Sequence, residues 1–207
     1  RYVQAGGTAL VTGHLLQEAA EDTQFRSMAV AVAAAIGATE VEVTLGSTAT
    51  TANMFDEGHF YVESSTGLGQ QFRIKRHEVT AASGQATFVL DRPLKVALTT
   101  SSQVTVRKNP FDGVIDMPTT HTGAPVGVAL YAMSIAYYGW VQSGGDCPVL
   151  FDTGTNTSDS VTGVEPSSAV AGSVMPSAGT AGDIVIGYAR EIVSVDSTYG
   201  LVHLIID

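Results

Sequence analysis

The string in this sequence that most resembles catalytic chemistry is Asp152-Thr153-Gly154-Thr155, which follows three apolar residues at 149–151. A carboxylate in such a loop can activate water if a second carboxylate shares its proton. No second Asp-Thr-Gly occurs in the chain, so the partner carboxylate would have to come from a second copy. The alternative interpretation is a strand that ends in a polar loop of Thr, Ser, Asn and Gly.

The same string resembles the catalytic loop of dimeric aspartic proteases. Those enzymes also carry an apolar-apolar-Gly string, and Ile184-Val185-Ile186-Gly187 could take that role. Gly187 follows Asp152 after only 35 residues, which is short for a flap hairpin and its returning strands. Tyr188 also replaces the polar residue that this family has after the glycine. We therefore favour the structural loop and keep the protease as a remote alternative.

The other residues with chemical potential are scattered along the chain. No two histidines are closer than 18 residues, so none forms a short-spaced metal-ligand pair. The single cysteine, Cys147, follows Asp146, whose negative charge opposes thiolate formation. We expect that the protein is not an enzyme and that it has no catalytic, cofactor-binding or metal-binding residues. The histidines are His14, His59, His77, His121 and His203.

The densest group of aromatic residues is Tyr131, Tyr137, Tyr138 and Trp140. Side chains alternate along a strand, so Tyr138 and Trp140 would share one face, and Tyr137 and Val141 the other. If the group is buried, it forms part of a domain core. If it is exposed, it can stack on sugars or act as a protein interface. Tyr137, Tyr138 and Trp140 are our candidate interface residues.

The segments that carry these residues have the composition of a β protein. The chain of 207 residues is 44% hydrophobic and 14% charged, and it contains 22 glycines. Alternating apolar and polar residues between turn-forming residues predict many short strands. The predicted strands are residues 40–45, 59–64, 70–76, 86–90, 103–108, 126–131, 137–142, 147–151, 168–174, 183–189 and 199–206.

The N-terminal segment is ambiguous. Residues 10–36 are the best helix candidate, although residues 28–33 also fit a strand and Asp22-Thr23 fits a turn or helix cap. Turn-forming residues at 110–118 and a sharp fall in Lys and Arg mark a domain boundary. We predict a mainly β fold with an N-terminal arm containing a candidate short helix (1–36) and two small β-barrel or β-sandwich domains (37–115 and 116–207).

The formal net charge of −10 narrows the range of partners. An acidic surface repels nucleic-acid phosphates, so we expect no nucleic-acid ligand. No apolar run approaches the roughly 20 residues that span a bilayer, so we expect no membrane partner. A lone cysteine forms no intrachain disulfide, which is compatible with assembly in a reducing cytoplasm.

An ordered series of short strings covers most of the chain from Gly37 onward and resembles small virion proteins of tailed bacteriophages. The strings are STATTAN at 47–53, Glu57-Gly58, Gly67-Leu68-Gly69 with Phe72-Arg73-Ile74, PLKVAL at 93–98, Asn109-Pro110-Phe111, TGAPVGV at 122–128, YYGWVQSGG at 137–145, VAG at 170–172 and IGYA at 186–189.

The resemblance implies a capsid decoration, or cement, protein without catalytic residues or cofactors. Proteins of this class bind the outer surface of the expanded head and clamp neighbouring capsomers. The implied partners are the major capsid protein and further copies of the chain, as a dimer or trimer. The implied location is the virion surface, after assembly in the host cytoplasm. A carbohydrate- or host-surface-binding module that uses Tyr138 and Trp140 is the first alternative.

Overall fold

The computed structural model describes residues 1–152, 162–179 and 184–206. Strands account for 42% of the residues and helix for 2%, which confirms the predicted mainly β fold. No helix within these described ranges is long and apolar enough to cross a membrane.

The chain forms two compact units. The inserted unit is Glu21–Asn109, and the split unit combines Arg1–Ala20 with Pro110–Asp207. One boundary lies where the sequence predicts a break, but residues 1–20 are not an arm. They contribute two strands to the split unit. These strands pair with strands that lie more than 100 residues further along the chain, and this pairing places residues 1–20 in the same unit.

The inserted unit contains a six-stranded sheet in the order β3-β8-β5-β6-β7-β4. All its pairings are antiparallel, and a bridge between Val30 and Val43 connects the two edge strands, so that the sheet wraps around its core. The strands are β3 (Met28–Ala29), β4 (Glu40–Thr44), β5 (His59–Ser64), β6 (Gln71–His77), β7 (Gln85–Leu90) and β8 (Gln103–Arg107).

Buried aromatic rings fill the core that this sheet encloses. Phe60 is 0% exposed, and its ring centroid lies 6.1 Å from that of Phe88 and 6.4 Å from that of Phe72. Phe55 packs edge-on against Phe25 at 4.8 Å. Such tilted ring contacts stabilise a core beyond the area that they bury.

The split unit contains two sheets. The first has five strands in the order β1-β11-β10-β2-β9, and a parallel bridge from Ala5 to Val114 connects its two edges. Its core includes Val3, Leu16 and Val141. The strands are β1 (Tyr2–Gln4), β2 (Leu15–Gln17), β9 (Ile115–Asp116), β10 (Pro125–Ala129) and β11 (Tyr138–Gln142).

The second sheet is a closed barrel in the order β12-β14-β13-β15-β16, which confirms the predicted barrel. The long β12 and β16 pair antiparallel over eight residues each, and Cys147, Val149 and Val202 point into the core. The strands are β12 (Gly144–Phe151), β13 (Gly163–Pro166), β14 (Val174–Pro176), β15 (Gly187–Ala189) and β16 (Thr198–Ile205).

Two predicted elements were wrong. The helix predicted within residues 10–36 is absent apart from a single 3-10 turn, Thr23–Phe25, which Asp22 caps by accepting a hydrogen bond from the Gln24 N–H. Long-range strand pairing of β2 and β3 overrides the local helix propensity of this segment. The strand predicted at 168–174 is instead mostly turn, and only Val174 belongs to a strand.

Candidate aromatic contact surface

Three aromatic side chains lie together on the outer side of the β1–β11 pair. Tyr2 is directly opposite Trp140, and Gln4 is opposite Tyr138. The ring of Tyr2 lies 5.2 Å from that of Trp140 and 5.8 Å from that of Tyr138, measured between centroids, and it is nearly parallel to the Tyr138 ring at 12°. We call Tyr2, Tyr138 and Trp140 the aromatic surface.

The residues that alternate with these rings along the two strands point inward and pack in the core. Val3 and Val141 are 1% and 2% exposed, so the inner side of the same strands is packed in the core. The Met133 and Tyr131 side chains pack closely on Gly139, so that a Cβ there would displace Met133 Sδ and Tyr131 Oη. The Tyr131 hydroxyl accepts a hydrogen bond from the backbone N–H of Trp140 at 2.9 Å. Tyr131 therefore supports the strand that presents the surface.

The three rings are exposed to solvent. Tyr2 is 54% exposed, and Tyr138 and Trp140 are each 59% exposed. Among the described residues, the two hydroxyls and the indole N–H have no hydrogen-bond partner. The surface thus offers flat apolar faces with free polar groups at the edges, which is the composition of protein and sugar contact sites.

The structure brings together two of the three residues predicted from sequence. Tyr138 and Trp140 share a face as predicted. Tyr137 precedes the strand and is 68% exposed, and among the described residues it makes no ring contact with the others. It therefore does not share an inward face with Val141. Sequence reasoning missed Tyr2, because only the long-range pairing of β1 with β11 reveals its position.

A guanidinium already lies on an aromatic ring beside this surface. The Arg1 side chain stands over the Phe111 ring, 5.3 Å from its centroid, and its Nε donates to Ser143 Oγ at 3.2 Å. The Phe111 carbonyl accepts a hydrogen bond from Gln4 of β1. The edge of the sheet that carries Tyr2 therefore accommodates an arginine on a ring face.

The histidines are distributed over both units and bind neighbouring protein groups. In the described ranges, no three His, Cys, Asp or Glu side chains are close enough together to hold a metal ion. The contacts are His14 Nδ1 to Asp116 Oδ2 at 2.8 Å, His203 Nδ1 to Asp146 Oδ1 at 2.7 Å, His121 Nε2 to the Ser167 carbonyl at 3.2 Å, His59 Nδ1 to Gln71 Nε2 at 3.2 Å, and His77 Nδ1 to the Glu78 carbonyl at 2.9 Å.

Asp152, the candidate protease residue, is buried at the end of β12. Its Oδ2 accepts a hydrogen bond from the Ser167 hydroxyl, and its backbone N–H donates to the Val174 carbonyl at 2.8 Å. The same Ser167 Oγ accepts the backbone N–H groups of Ala169 and Val170, each at 3.0 Å. These contacts connect Asp152 to a turn, which is what the structural interpretation requires. Residues 153–155 of the string lie outside the described residues.

Cys147 is buried on the inner side of β12 and is 1% exposed. Removal from water disfavours the thiolate, so burial raises the pKa of the Cys147 thiol. The residue behaves as a small apolar core side chain.

The split unit carries almost all of the net negative charge of the protein, because the acidic residues of the inserted unit are nearly balanced by Lys and Arg. It contains eleven Asp and Glu against two Arg, which gives a net charge of −9. The inserted unit contains nine Asp and Glu against eight Lys and Arg, a net charge of −1. The aromatic surface therefore belongs to the acidic part of the chain.

In comparisons with known proteins, no family model, no curated protein and no solved structure matches this chain.

Proposed function

We propose that this chain is a structural protein of tailed bacteriophage virions, and specifically a capsid decoration protein on the outer surface of the expanded head. The observation that carries the proposal is the aromatic surface of Tyr2, Tyr138 and Trp140, which two core-packed strands expose to solvent. The ordered series of phage-like sequence strings supports the same class. The partner is the major capsid protein, and the working form is a dimer or trimer.

Physical chemistry favours such a surface for protein contacts. Trp and Tyr are over-represented among the few residues that contribute most of the binding energy of an interface. Rings that are already fixed by strand pairing lose little conformational entropy on binding. A protein that binds only the expanded shell stabilises that shell by mass action. Decoration therefore requires a rigid complementary surface and no catalytic cleft.

Cosedimentation of the purified protein with expanded heads and with unexpanded procapsids tests the proposal. We expect saturable binding to the expanded heads alone. Trp140→Ala should weaken this binding by about 30-fold, the effect of removing an interface residue worth about 2 kcal/mol. Tyr199→Ala is the matched control, because Tyr199 is 52% exposed on the barrel and lies outside the aromatic surface. Absence of binding to either shell would exclude a decoration role.

Carbohydrate binding is the second candidate. The hydroxyls of Tyr2 and Tyr138 and the indole N–H of Trp140 favour it, because they have no hydrogen-bond partner in the part of the chain that the structure describes. A sugar ring can stack on an aromatic face while its hydroxyls bond to these edge groups. Glycan-array binding that disappears in Trp140→Ala, together with no binding to heads, would favour this function over decoration. Retained glycan binding in Trp140→Ala would exclude the aromatic surface as the sugar site.

A further inference from the structure

The net charge of the split unit, which carries the aromatic surface, favours some classes of partner over others. With a net charge of −9, the split unit creates a negative potential that acts over about 10 Å at 0.1 M salt. This potential repels an acidic surface and attracts a basic one.

The rings of the aromatic surface suit a cationic partner. The face of a Tyr or Trp ring carries partial negative charge and attracts a guanidinium or ammonium group. Tyr2, Tyr138 and Trp140 present such faces at 54–59% exposure. Beside them, the Arg1 guanidinium occupies the Phe111 ring, which demonstrates the same contact within the chain.

We propose that the aromatic surface binds arginine and lysine side chains of a basic partner surface, with the guanidinium groups placed over the rings of Tyr2, Tyr138 and Trp140. The inference rests on the proposed function, because it gives the chemistry of the partner that the same surface contacts. Electrostatic attraction brings the partner to the split unit, and the rings then select arginine over other cations because its planar group stacks on them.

Trp140 is the only tryptophan in the chain, so its fluorescence reports directly on this surface. The test titrates the full chain with a nona-arginine peptide and, in parallel, with nona-lysine, nona-glutamate and neutral oligosaccharides. We expect nona-arginine to change the Trp140 emission saturably, nona-lysine to bind more weakly, and nona-glutamate to have no effect. Raising the salt from about 0.1 M to about 1 M should weaken binding strongly, because the screening length falls from about 10 Å to about 3 Å.

Two variants of one residue separate ring stacking from general attraction. Tyr138→Ala removes a ring and should weaken nona-arginine binding about tenfold, whereas Tyr138→Phe keeps the ring face and should bind nearly as wild type. Tyr199→Ala, on the barrel, should also bind as wild type. Equal binding by Tyr138→Ala and wild type would overturn the inference, as would a response to oligosaccharides without one to nona-arginine.

Expanded heads distinguish failure of this inference from failure of the proposed function. Head binding that is insensitive to salt and to Tyr138→Ala would overturn the basic-partner inference and leave decoration intact. Nona-arginine binding with the expected salt and variant dependence, but no head binding, would support the inference and exclude decoration. Head binding that weakens with salt and in Tyr138→Ala supports both.

Discussion

Tyr2 and Trp140 lie directly opposite each other on β1 and β11, and their ring centroids are 5.2 Å apart. One strand pair thereby creates two features at once. Its outer side carries the exposed rings, and its inner side places Val3 and Val141 in the core. Side chains alternate across a strand, so the same hydrogen-bonded register that packs the valines also fixes the spacing of the rings.

Substitutions at neighbouring positions of β1 should separate these two roles. Val3→Ala should lower the free energy of unfolding of the split unit by about 2 kcal/mol, because it removes buried methyl groups and leaves a cavity. Tyr2→Ala should cost less than about 1 kcal/mol, since it removes only exposed cross-strand contacts. Urea unfolding followed by Trp140 fluorescence measures both, because Trp140 reports on the split unit alone. Equal costs for the two variants would contradict the assignment of the inner and outer sides.

The strands β4 to β7 of the inserted unit follow from the sequence, because each contains alternating buried and more exposed residues. Glu40–Thr44, for example, buries Val41 and Val43 and leaves Glu40 and Thr44 exposed. Most of the short strands were not predictable in this way, although residues 28–33, which include β3, also fitted a strand. β3 has two residues, and β13 contains both Gly163 and Pro166, residue types that are depleted in strands. Their conformation is set by the neighbouring strands with which they pair.

The aromatic surface was only partly predictable for a related reason. Local alternation places Tyr138 and Trp140 on one face, and the structure agrees. That this face is exposed, and that Tyr2 completes it, depends on pairing between strands more than 130 residues apart in the chain. No local pattern contains that information. The barrel, by contrast, was indicated by a series of short strands separated by turns.

The thiol of Cys147 should be protected from chemical modification in the native protein. Burial at 1% exposure blocks access, and the raised pKa of the thiol reduces the reactive thiolate fraction further. We expect a maleimide or disulfide reagent to label Cys147 slowly in buffer and rapidly in concentrated denaturant, with one thiol labelled per chain. Free glutathione in the same buffer is the control for reagent activity. Rapid labelling of the folded protein would show that β12 does not point Cys147 into the barrel.

The Glu63 carboxylate should make the stability of the inserted unit depend on pH. Its Oε2 accepts hydrogen bonds from the Thr105 hydroxyl at 2.6 Å and the Ser27 hydroxyl at 2.9 Å, which lower the pKa of Glu63 below its ordinary value of 4.5. A lowered folded-state pKa means that the contribution is fully present above about pH 4.5 and is lost as the pH falls through the folded-state value.

Unfolding of the inserted unit measured between neutral and acidic pH tests this dependence. We expect Glu63→Gln to be less stable than wild type at neutral pH and to lose less stability on acidification, so that the two proteins converge. Glu42→Gln, in β4 of the same unit, controls for the removal of one carboxylate charge, because no hydroxyl contact to Glu42 is present among the described residues. A constant difference between Glu63→Gln and wild type at every pH would contradict the role of the hydroxyl contacts.

Two glycines in adjacent strands of the barrel should differ sharply in their tolerance of a side chain. A Cβ at Gly187 would collide with the backbone carbonyl of His203 in β16, whereas one at Gly163 would meet its nearest neighbour at an ordinary 3.5 Å. Backbone atoms cannot rotate away as a side chain can, so Gly187→Ala must separate β15 from β16. We expect Gly187→Ala to lower the free energy of unfolding by about 3 kcal/mol and Gly163→Ala by less than about 1 kcal/mol.

Because β15 pairs with both β13 and β16, the damage caused by Gly187→Ala should spread to the barrel core and increase labelling of Cys147 in the folded protein. Similar stability and labelling for both variants would mean that β15 and β16 approach less closely than the structure has them.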